Sequence, residues 1–147
     1  MNIQSIISID NINVNLEASS KKEAFIKMAE MLYKNNVIDS VDEYVKALIK
    51  RENEFSTGIG FGIAIPHAKC RAVKKIAVGI AKLTNEIDYE SMDDERITTI
   101  FMIAVPAEGA DEHIKILSTL SRKFIHADFR EELKMANTPD ELIKIFN

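Results

Sequence analysis

The sequence predicts an α/β domain in which a mixed, mostly parallel-looking sheet is flanked by helices. Residues 76–81 and 100–105 are continuous apolar runs, with the length and composition of strands that are covered on both faces. Segments with a helical period of apolar residues lie before and after these runs, and such interleaving is typical of the α/β class. A length of 147 residues fits one domain, so we assign residues 1–147 to a single domain.

Two helix start signals divide the first third of the chain. Ser20 with Glu23, and Ser40 with Glu43, have the spacing of a capping box, which satisfies the first free N–H groups of a helix. We therefore predict one helix after Ser20 and another after Ser40. The predicted inward faces are Ala24, Phe25, Met28, Ala29 and Leu32 in the first helix, and Val41, Tyr44, Val45, Leu48 and Ile49 in the second.

The remaining elements follow from weaker signals. Residues 3–9 are an apolar stretch that we predict as a strand, and the polar, acidic residues 84–95 read as a loop. We predict a helix after Asp111, a short one at 128–135, and a last one that begins at Thr138. The helix after Asp111 is expected to turn Ile114, Leu117, Leu120 and Phe124 inward.

Composition excludes several classes of protein. The formal net charge of −4 argues against a nucleic-acid partner, which needs a concentrated basic face. No apolar run approaches the roughly 18–20 residues of a membrane span, and the first residues lack a signal-peptide pattern. The single cysteine, Cys70, excludes an internal disulfide and fits a reducing compartment. We therefore expect a cytoplasmic protein that does not insert into a membrane.

The most informative stretch is RENEFSTGIGFGIAIPHAKC, residues 51–70. It holds three of the five glycines, at positions 58, 60 and 62, and then the dipeptide Pro66-His67. Glycine lets another backbone or a ligand come close, and proline favours extended backbone at the residue before it. We predict a tight glycine-rich loop, a short buried strand, and a fixed exit that presents the imidazole of His67.

Histidines supply the strongest candidate chemistry. A neutral imidazole is a competent nucleophile near pH 7, because its free pKa is about 6.5, and His67 is the candidate nucleophile. His113 should lie at a helix N-terminus, where the positive end of the helix dipole favours the neutral ring and leaves one N–H for an anion. A capping or core role for His113 stays open. His126, near a helix end, is predicted to be structural.

Other polar residues of the central stretch are candidate anion ligands. The guanidinium of Arg51 offers a planar fork to phosphoryl oxygens. On the residues alone, an exposed helix-terminal cation that pairs with Glu52 or Glu54 is the favoured alternative. Ser56 and Thr57 have hydroxyl hydrogens for an anion, or they only form the turn into Gly58. We include Ser56, Thr57 and Gly58 as candidate substrate-binding residues.

Metal and nucleotide cofactors are not expected. Cys70 lies three residues after His67, but a zinc site needs about four ligands and the chain has no second cysteine. GIGFG follows a helical end and leads into a strand, whereas a dinucleotide fingerprint follows a strand and opens a helix. A Cys–His nucleophile pair of His67 and Cys70 remains a weaker alternative.

Three separated segments carry a family resemblance. The first combines RE at 51–52 with STGIG at 56–60, and the second is AIPHA at 64–68. The third is EHIKILSTL at 112–120, preceded by a predicted strand that ends in Val105-Pro106. Together they resemble the enzyme IIA domain of the fructose–mannitol class, which belongs to the bacterial phosphoenolpyruvate-dependent sugar phosphotransferase system. The resemblance covers essentially the whole chain.

The resemblance implies a mixed sheet covered by helices and a role for each of three residues. His67 takes the place of the phosphorylated histidine, and His113 and Arg51 take the places of the groups that assist. The implied donor is the histidine phosphocarrier protein HPr, and the implied acceptor is a cysteine on a IIB domain of a sugar permease. A sister branch, the nitrogen-type IIA proteins, regulates other proteins instead, and a hydrolase using His67 with Cys70 or Ser56 is a third possibility.

Overall fold

The computed structural model describes residues 3–109 and 111–147. A 3₁₀ helix (Ile3–Ile6) leads into strand β1 (Ile7–Leu16), helix α1 (Lys21–Lys34) and helix α2 (Val41–Glu54). Three short strands follow, β2 (Gly58–Gly60), β3 (Ile63–Ala64) and β4 (His67–Cys70), and then two long ones, β5 (Ala77–Ile87) and β6 (Ile97–Pro106). Helices α3 (Glu112–Ile125), α4 (Ala127–Met135) and α5 (Pro139–Lys144) complete the order.

All six strands form one mixed sheet, as predicted. The order is β1-β5-β6-β3-β2, and β4 pairs with β6 further along the side that β3 also uses. The β1/β5, β3/β6 and β4/β6 ladders are parallel, whereas the long β5/β6 ladder and the β2/β3 pair are antiparallel. The short strands β3 and β4 therefore both pair with the same edge of β6, one after the other. Residues 65–66 connect them and belong to neither strand.

The sheet separates two hydrophobic cores. Alternate residues of β6 serve opposite faces: Met102 and Ala104 belong to one core, and Phe101 and Ile103 to the other. Helices α1 and α2 cover the first face, and α3, α4 and α5 cover the second. Candidate site residues come from both layers: Arg51 from α2 and His113 from α3.

The capping signals predicted the helix starts correctly. The backbone N–H of Glu23 donates to the Ser20 hydroxyl at 3.1 Å, and that of Glu43 donates to the Ser40 hydroxyl at 3.2 Å. The buried residues of α1 are the predicted set, while Val41 and Ile49 of α2 are only half-buried. The short helices predicted at 128–135 and after Thr138 are confirmed as α4 and α5.

Two strand predictions were wrong in extent. The strand predicted at residues 3–9 begins at Ile7 and continues to Leu16, and β5 continues to Ile87 into the predicted loop. Both extensions carry polar side chains, and backbone pairing holds them in place: Leu16 pairs with Leu83, and Ile87 pairs with Ile97. Hydropathy misses such residues because ladder hydrogen bonds do not depend on the side chain.

Helix α3 is rotated from its predicted orientation. Ile114, predicted to face inward, is 55% exposed, and Ile116 is buried in its place together with Leu120 and Phe124. Residues two apart lie on different faces of a helix. The buried face of α3 runs through Ile116, Leu120 and Phe124, which are four residues apart, so Ile114 lies outside it.

The glycine-rich stretch is a hairpin whose tip carries Phe61. Gly60, Phe61 and Gly62 all have positive φ, of 109°, 60° and 75°, so the backbone turns sharply here, as the predicted glycine-rich loop requires. Phe61 is exposed and stacks under the Arg130 guanidinium, whose carbon lies 3.9 Å from the ring centroid. The Gly62 carbonyl accepts from the N–H of Thr98, which places this tip beside the start of β6, away from His67.

Across the described ranges, no helix has both the length and the apolar character that crossing a membrane requires.

Candidate functional site

His67 begins β4 and pairs with Ile103 of β6. The N–H of Ile103 donates to the Pro66 carbonyl at 2.9 Å, and the buried hydroxyl of Tyr44 in α2 donates to the Ile103 carbonyl at 2.9 Å. The backbone at Pro66 and His67 is thus fixed to the central strand, which is in turn tied to α2. The predicted fixed exit after the proline is confirmed.

One imidazole nitrogen of His67 is already occupied. Nδ1 lies 3.1 Å from the carbonyl oxygen of Ile65. Because a carbonyl only accepts, Nδ1 carries the proton of the neutral ring and Nε2 carries the lone pair. Burial lowers the pKa of His67, and the charges of Arg51 and His113 lower it further, against opposing contributions from the Ile65 carbonyl and from Glu52.

His113 lies beside His67 in the first turn of α3. The ring planes are inclined by 23° and their centroids are 6.2 Å apart. The Nδ1 atom of His113 is buried and finds no hydrogen-bond partner within residues 3–109 and 111–147. The ring as a whole is half-buried and lines the same cavity as His67.

Arg51 approaches from the other layer, in the last turn of α2. One guanidinium nitrogen, Nη1, donates to the carbonyl of Phe55, the C-cap residue of the same helix, at 2.8 Å. The ion pairs with Glu52 or Glu54 considered as an alternative do not form among the described residues. A guanidinium has five N–H donors, so most of the fork stays free for an anion.

These three side chains share one cavity of about 480 Å³. Its lining is Ala47, Lys50, Arg51, Glu54, His67, Ala68, Lys69 and His113. Three permanent cations face one carboxylate, which favours an anionic ligand. The sequence did not lead us to Lys50, Glu54 and Lys69. In a strand, Lys69 lies on the same face as His67, and in a helix, Lys50 and Glu54 lie on the same face as Ala47. These spacings are the signals that could have predicted the cavity lining.

Ser56, Thr57 and Gly58 do not line this cavity. The hydroxyl of Ser56 accepts from the N–H of Gly58 at 3.1 Å, which is the turn-forming role considered as the alternative. Gly58 packs so closely on Ser91 that an added Cβ would lie 2.9 Å from the Ser91 Cα. The proposed role of these three residues in substrate binding stays a prediction. The structure gives each of them a structural role as well.

Thr57 belongs to a buried cluster that the sequence did not reveal. The Glu52 carboxylate accepts from the Thr57 N–H (2.7 Å), the Thr57 hydroxyl (2.6 Å) and the Tyr89 hydroxyl (3.1 Å). Lys21 Nζ lies 3.3 Å from the same carboxylate and 4.1 Å from the Tyr89 ring centroid. Tyr89 and Lys21 are far from Glu52 in the sequence, so no local pattern predicted that they would meet it.

The partners suggested for a hydrolase do not share the cavity with His67. The Cys70 sulfur accepts from the N–H of Ala72 at 3.4 Å, and neither Cys70 nor Ser56 is part of the lining. The geometry instead brings the His67 ring, the Arg51 guanidinium and the His113 ring to one cavity. Fold and site together define a small α/β protein with two histidines and an arginine at a basic cavity.

Comparison with known proteins identifies the family. Residues 5–147 match the family described as phosphoenolpyruvate-dependent sugar phosphotransferase system, EIIA 2. The chain is 39% identical over 136 residues to the fructose-specific EIIA component of the phosphotransferase system of Haloferax volcanii, an alignment that covers 92% of this chain and 88% of that protein. The chain belongs to the EIIA type-2 family of the sugar phosphotransferase system, as the resemblance implied.

Solved structures share the fold over nearly the whole chain. The nitrogen regulatory protein IIA-Ntr from Neisseria meningitidis aligns with a TM-score of 0.90 and 28% identity, covering 99% of both chains. The mannitol IIA enzyme of Escherichia coli, in its complex with phosphorylated IIB, aligns with a TM-score of 0.79 and 24% identity, covering 95% of both chains. The second likeness, at this identity, supports the fold alone.

Proposed function

We propose that this chain is a phosphocarrier that accepts a phosphoryl group on His67 from phospho-HPr and passes it to a cysteine of a IIB domain. The observation that carries the proposal is the bond from His67 Nδ1 to the Ile65 carbonyl, which leaves Nε2 as the nucleophile at an open, basic cavity. Similarity to the fructose-specific EIIA component of H. volcanii supports the sugar-transport branch. We place this activity in the cytoplasm.

The first step needs no proton transfer. The Nε2 lone pair attacks phosphorus in line, the N–P bond of the donor histidine breaks, and the bonding pair returns to the donor nitrogen. Charge in the loose transition state spreads over three equatorial oxygens. The Arg51 fork and the Nε2–H of His113 supply donors for these oxygens from opposite layers. The Ile65 carbonyl stabilises the positive ring that forms, because it holds the Nδ1 proton.

The second step reverses this chemistry toward sulfur. A cysteine thiolate of the IIB domain forms an S–P bond while the Nε2–P bond breaks, and His67 leaves as the neutral ring with its Nδ1 proton in place. The thiolate is the competent nucleophile. The E. coli mannitol IIA enzyme, which shares the fold, forms a complex with phosphorylated IIB.

A second candidate function is that of a nitrogen-type regulatory IIA protein, whose phosphorylation state controls binding to another protein. The likeness to IIA-Ntr of N. meningitidis, over 99% of both chains, favours it. The chemistry at His67 would be the same, and only the acceptor differs.

The test is to incubate the protein with phosphoenolpyruvate, enzyme I and HPr and to locate the phosphate by mass spectrometry and NMR. We expect one acid-labile, alkali-stable phosphate on His67 Nε2, and none on His67→Ala. Phosphate retained by His67→Ala would overturn the assignment. Rapid loss of phosphate to fructose- or mannitol-type IIB domains supports transport. A phosphoprotein stable to every IIB domain, with phosphorylation-dependent binding to another protein, supports regulation.

A further inference from the structure

A continuous line of hydrogen bonds joins the buried Glu52 carboxylate to the His67 ring. Glu52 Oε2 accepts from the Thr57 N–H at 2.7 Å, and the Thr57 carbonyl accepts from the Ile65 N–H at 2.9 Å. The Ile65 carbonyl then accepts from His67 Nδ1 at 3.1 Å. We infer that Glu52 is a positioning residue that fixes, through Thr57 and Ile65, which ring nitrogen of His67 carries the proton.

The location of Glu52 is unfavourable for a carboxylate. It is in the last turn of α2, where the negative end of the helix dipole disfavours an anion, and its side chain is only 5% exposed. Four donors from Lys21, Thr57 and Tyr89 compensate for this cost. A residue that breaks a local rule and keeps a full set of partners is expected at a functional site.

The arrangement leaves Thr57 with no freedom to move. Its backbone N–H and its hydroxyl both bind Glu52, its hydroxyl is also 2.7 Å from the Tyr89 hydroxyl, and the residue is 3% exposed. The carbonyl of Thr57 is therefore held in one place, and the peptide of Ile65 with it. The Ile65 carbonyl lies between two anchored positions, because the Pro66 carbonyl is bonded to the Ile103 N–H. Without the anchor at Thr57, we expect the Ile65 carbonyl to turn away from Nδ1.

The inference rests on the proposed role of His67, and it assigns Thr57 a part different from direct phosphoryl binding. Glu52 and Thr57 do not line the cavity of His67, so neither is a catalytic residue. Their effect reaches the reaction through the tautomer. A ring with its proton on Nε2 would have no lone pair toward the cavity and would not attack phosphorus.

The test compares Glu52→Gln with Glu52→Met in the unphosphorylated chain. Both variants remove the charge and keep a side chain of similar length, but only glutamine retains an oxygen acceptor for the Thr57 N–H. Long-range ¹H–¹⁵N NMR of the imidazole, above the pKa of His67, reports which nitrogen is protonated. We expect the Nδ1–H tautomer in the wild type and in Glu52→Gln, and a loss of that tautomer in Glu52→Met.

Phosphoryl acceptance from phospho-HPr supplies the second readout. We expect Glu52→Met to be about tenfold slower than the wild type, and Glu52→Gln to remain within about threefold. Tyr89→Phe is the matched control, since it removes a donor to Glu52 but leaves the Thr57 N–H bonded. It should lower stability and leave the tautomer unchanged.

Three results would overturn the inference. They are a wild-type ring with its proton on Nε2, a Glu52→Met variant with the wild-type tautomer and rate, and a Glu52→Gln variant that behaves like Glu52→Met. The first applies even if Glu52→Met does not fold. Because the tautomer is measured without HPr, the inference about Glu52 can be wrong even if His67 is phosphorylated. Absence of phosphate on His67 would contradict the proposed function and would leave the tautomer measurement unaffected.

Discussion

The imidazole rings of His67 and His113 lie nearly parallel, inclined by 23°, with their centroids 6.2 Å apart. One ring comes from the edge strand β4 and the other from the first turn of α3. Both rings line one cavity, which is where the proposed reaction would hold the phosphoryl group.

Replacement of His113 should affect the reaction more than the fold. We expect His113→Ala to slow phosphoryl acceptance by roughly tenfold or more, because the equatorial oxygens lose a donor. The free energy of unfolding should change little, since the ring packs at a half-exposed position. Stopped-flow transfer and urea denaturation measure the two effects. His126→Ala, an exposed histidine between α3 and α4, is the control, and equal rates for both variants would return His113 to a structural role.

Arg51→Lys keeps the charge and removes the planar fork. A lysine cannot donate to Phe55 and to two phosphoryl oxygens in the geometry that a guanidinium allows. We expect transfer to slow by roughly tenfold and Arg51→Ala to be slower still. A lysine variant with the wild-type rate would show that only the charge of Arg51 matters.

The pH dependence of His67 follows from its burial. Its pKa lies below the ordinary value, chiefly through burial, so the nucleophilic neutral ring should persist as pH falls below about 6.5. Transfer should decline only when the pH drops through the lowered pKa. An NMR titration of the His67 ring measures that pKa, with the urea-unfolded chain as reference, and a midpoint at or above the unfolded value would contradict the prediction.

The same shift has a consequence for stability. As pH falls, the unfolded chain binds a proton at His67 before the folded chain does. The free energy of unfolding should therefore decrease from about pH 6.5 down to the folded pKa and level off below it. Subtracting the profile of His67→Gln isolates this contribution, and a difference that is flat across this range would exclude it.

Gly58→Ala should destabilise the fold by steric contact. An added Cβ would lie 2.9 Å from both Cα and Cβ of Ser91, and the backbone atom cannot move aside easily. We expect a loss of about 1–3 kcal/mol in the free energy of unfolding, measured by denaturant titration. Gly79→Ala is the control: its Cβ would meet a Leu32 methyl group at 3.4 Å, and the change should stay within about 1 kcal/mol. Equal effects would contradict the steric explanation.

Local signals in the sequence predicted what local chemistry decides. The Ser20 and Ser40 hydroxyls cap helix starts by accepting from backbone N–H groups three residues later. Pro66 favours extended backbone at Ile65, just before His67. His67, His113 and Arg51 were each identified on their own, and the structure brings them into one cavity. Their proximity depends on the pairing of β4 with β6 and on the packing of α2 and α3, which spacing alone does not contain.

Features that depend on distant partners were missed. Glu52 was considered, with Glu54, as an exposed ion-pair partner of Arg51 in an alternative interpretation. It is instead buried with Tyr89 and Lys21 from elsewhere in the chain. The glycine-rich loop was predicted, but the position of Phe61 at its tip beside Arg130 was not, because Arg130 is far away in the sequence. Ile114 fitted a helical stripe that the docking of α3 on the sheet does not use.

A phosphoryl group bound at this site would lie between the two helical layers. Arg51 belongs to the layer of α2 and His113 to the layer of α3, while His67 stands at the strand edge between them. A phosphoryl group held by all three would cross-link the two helical layers at one end of the sheet, and its departure would release them. Hydrogen exchange at the last turn of α2 and the first turn of α3 should then slow together on phosphorylation. A docking partner would therefore meet two ordered helix ends when His67 is phosphorylated, and two more mobile ones when it is not.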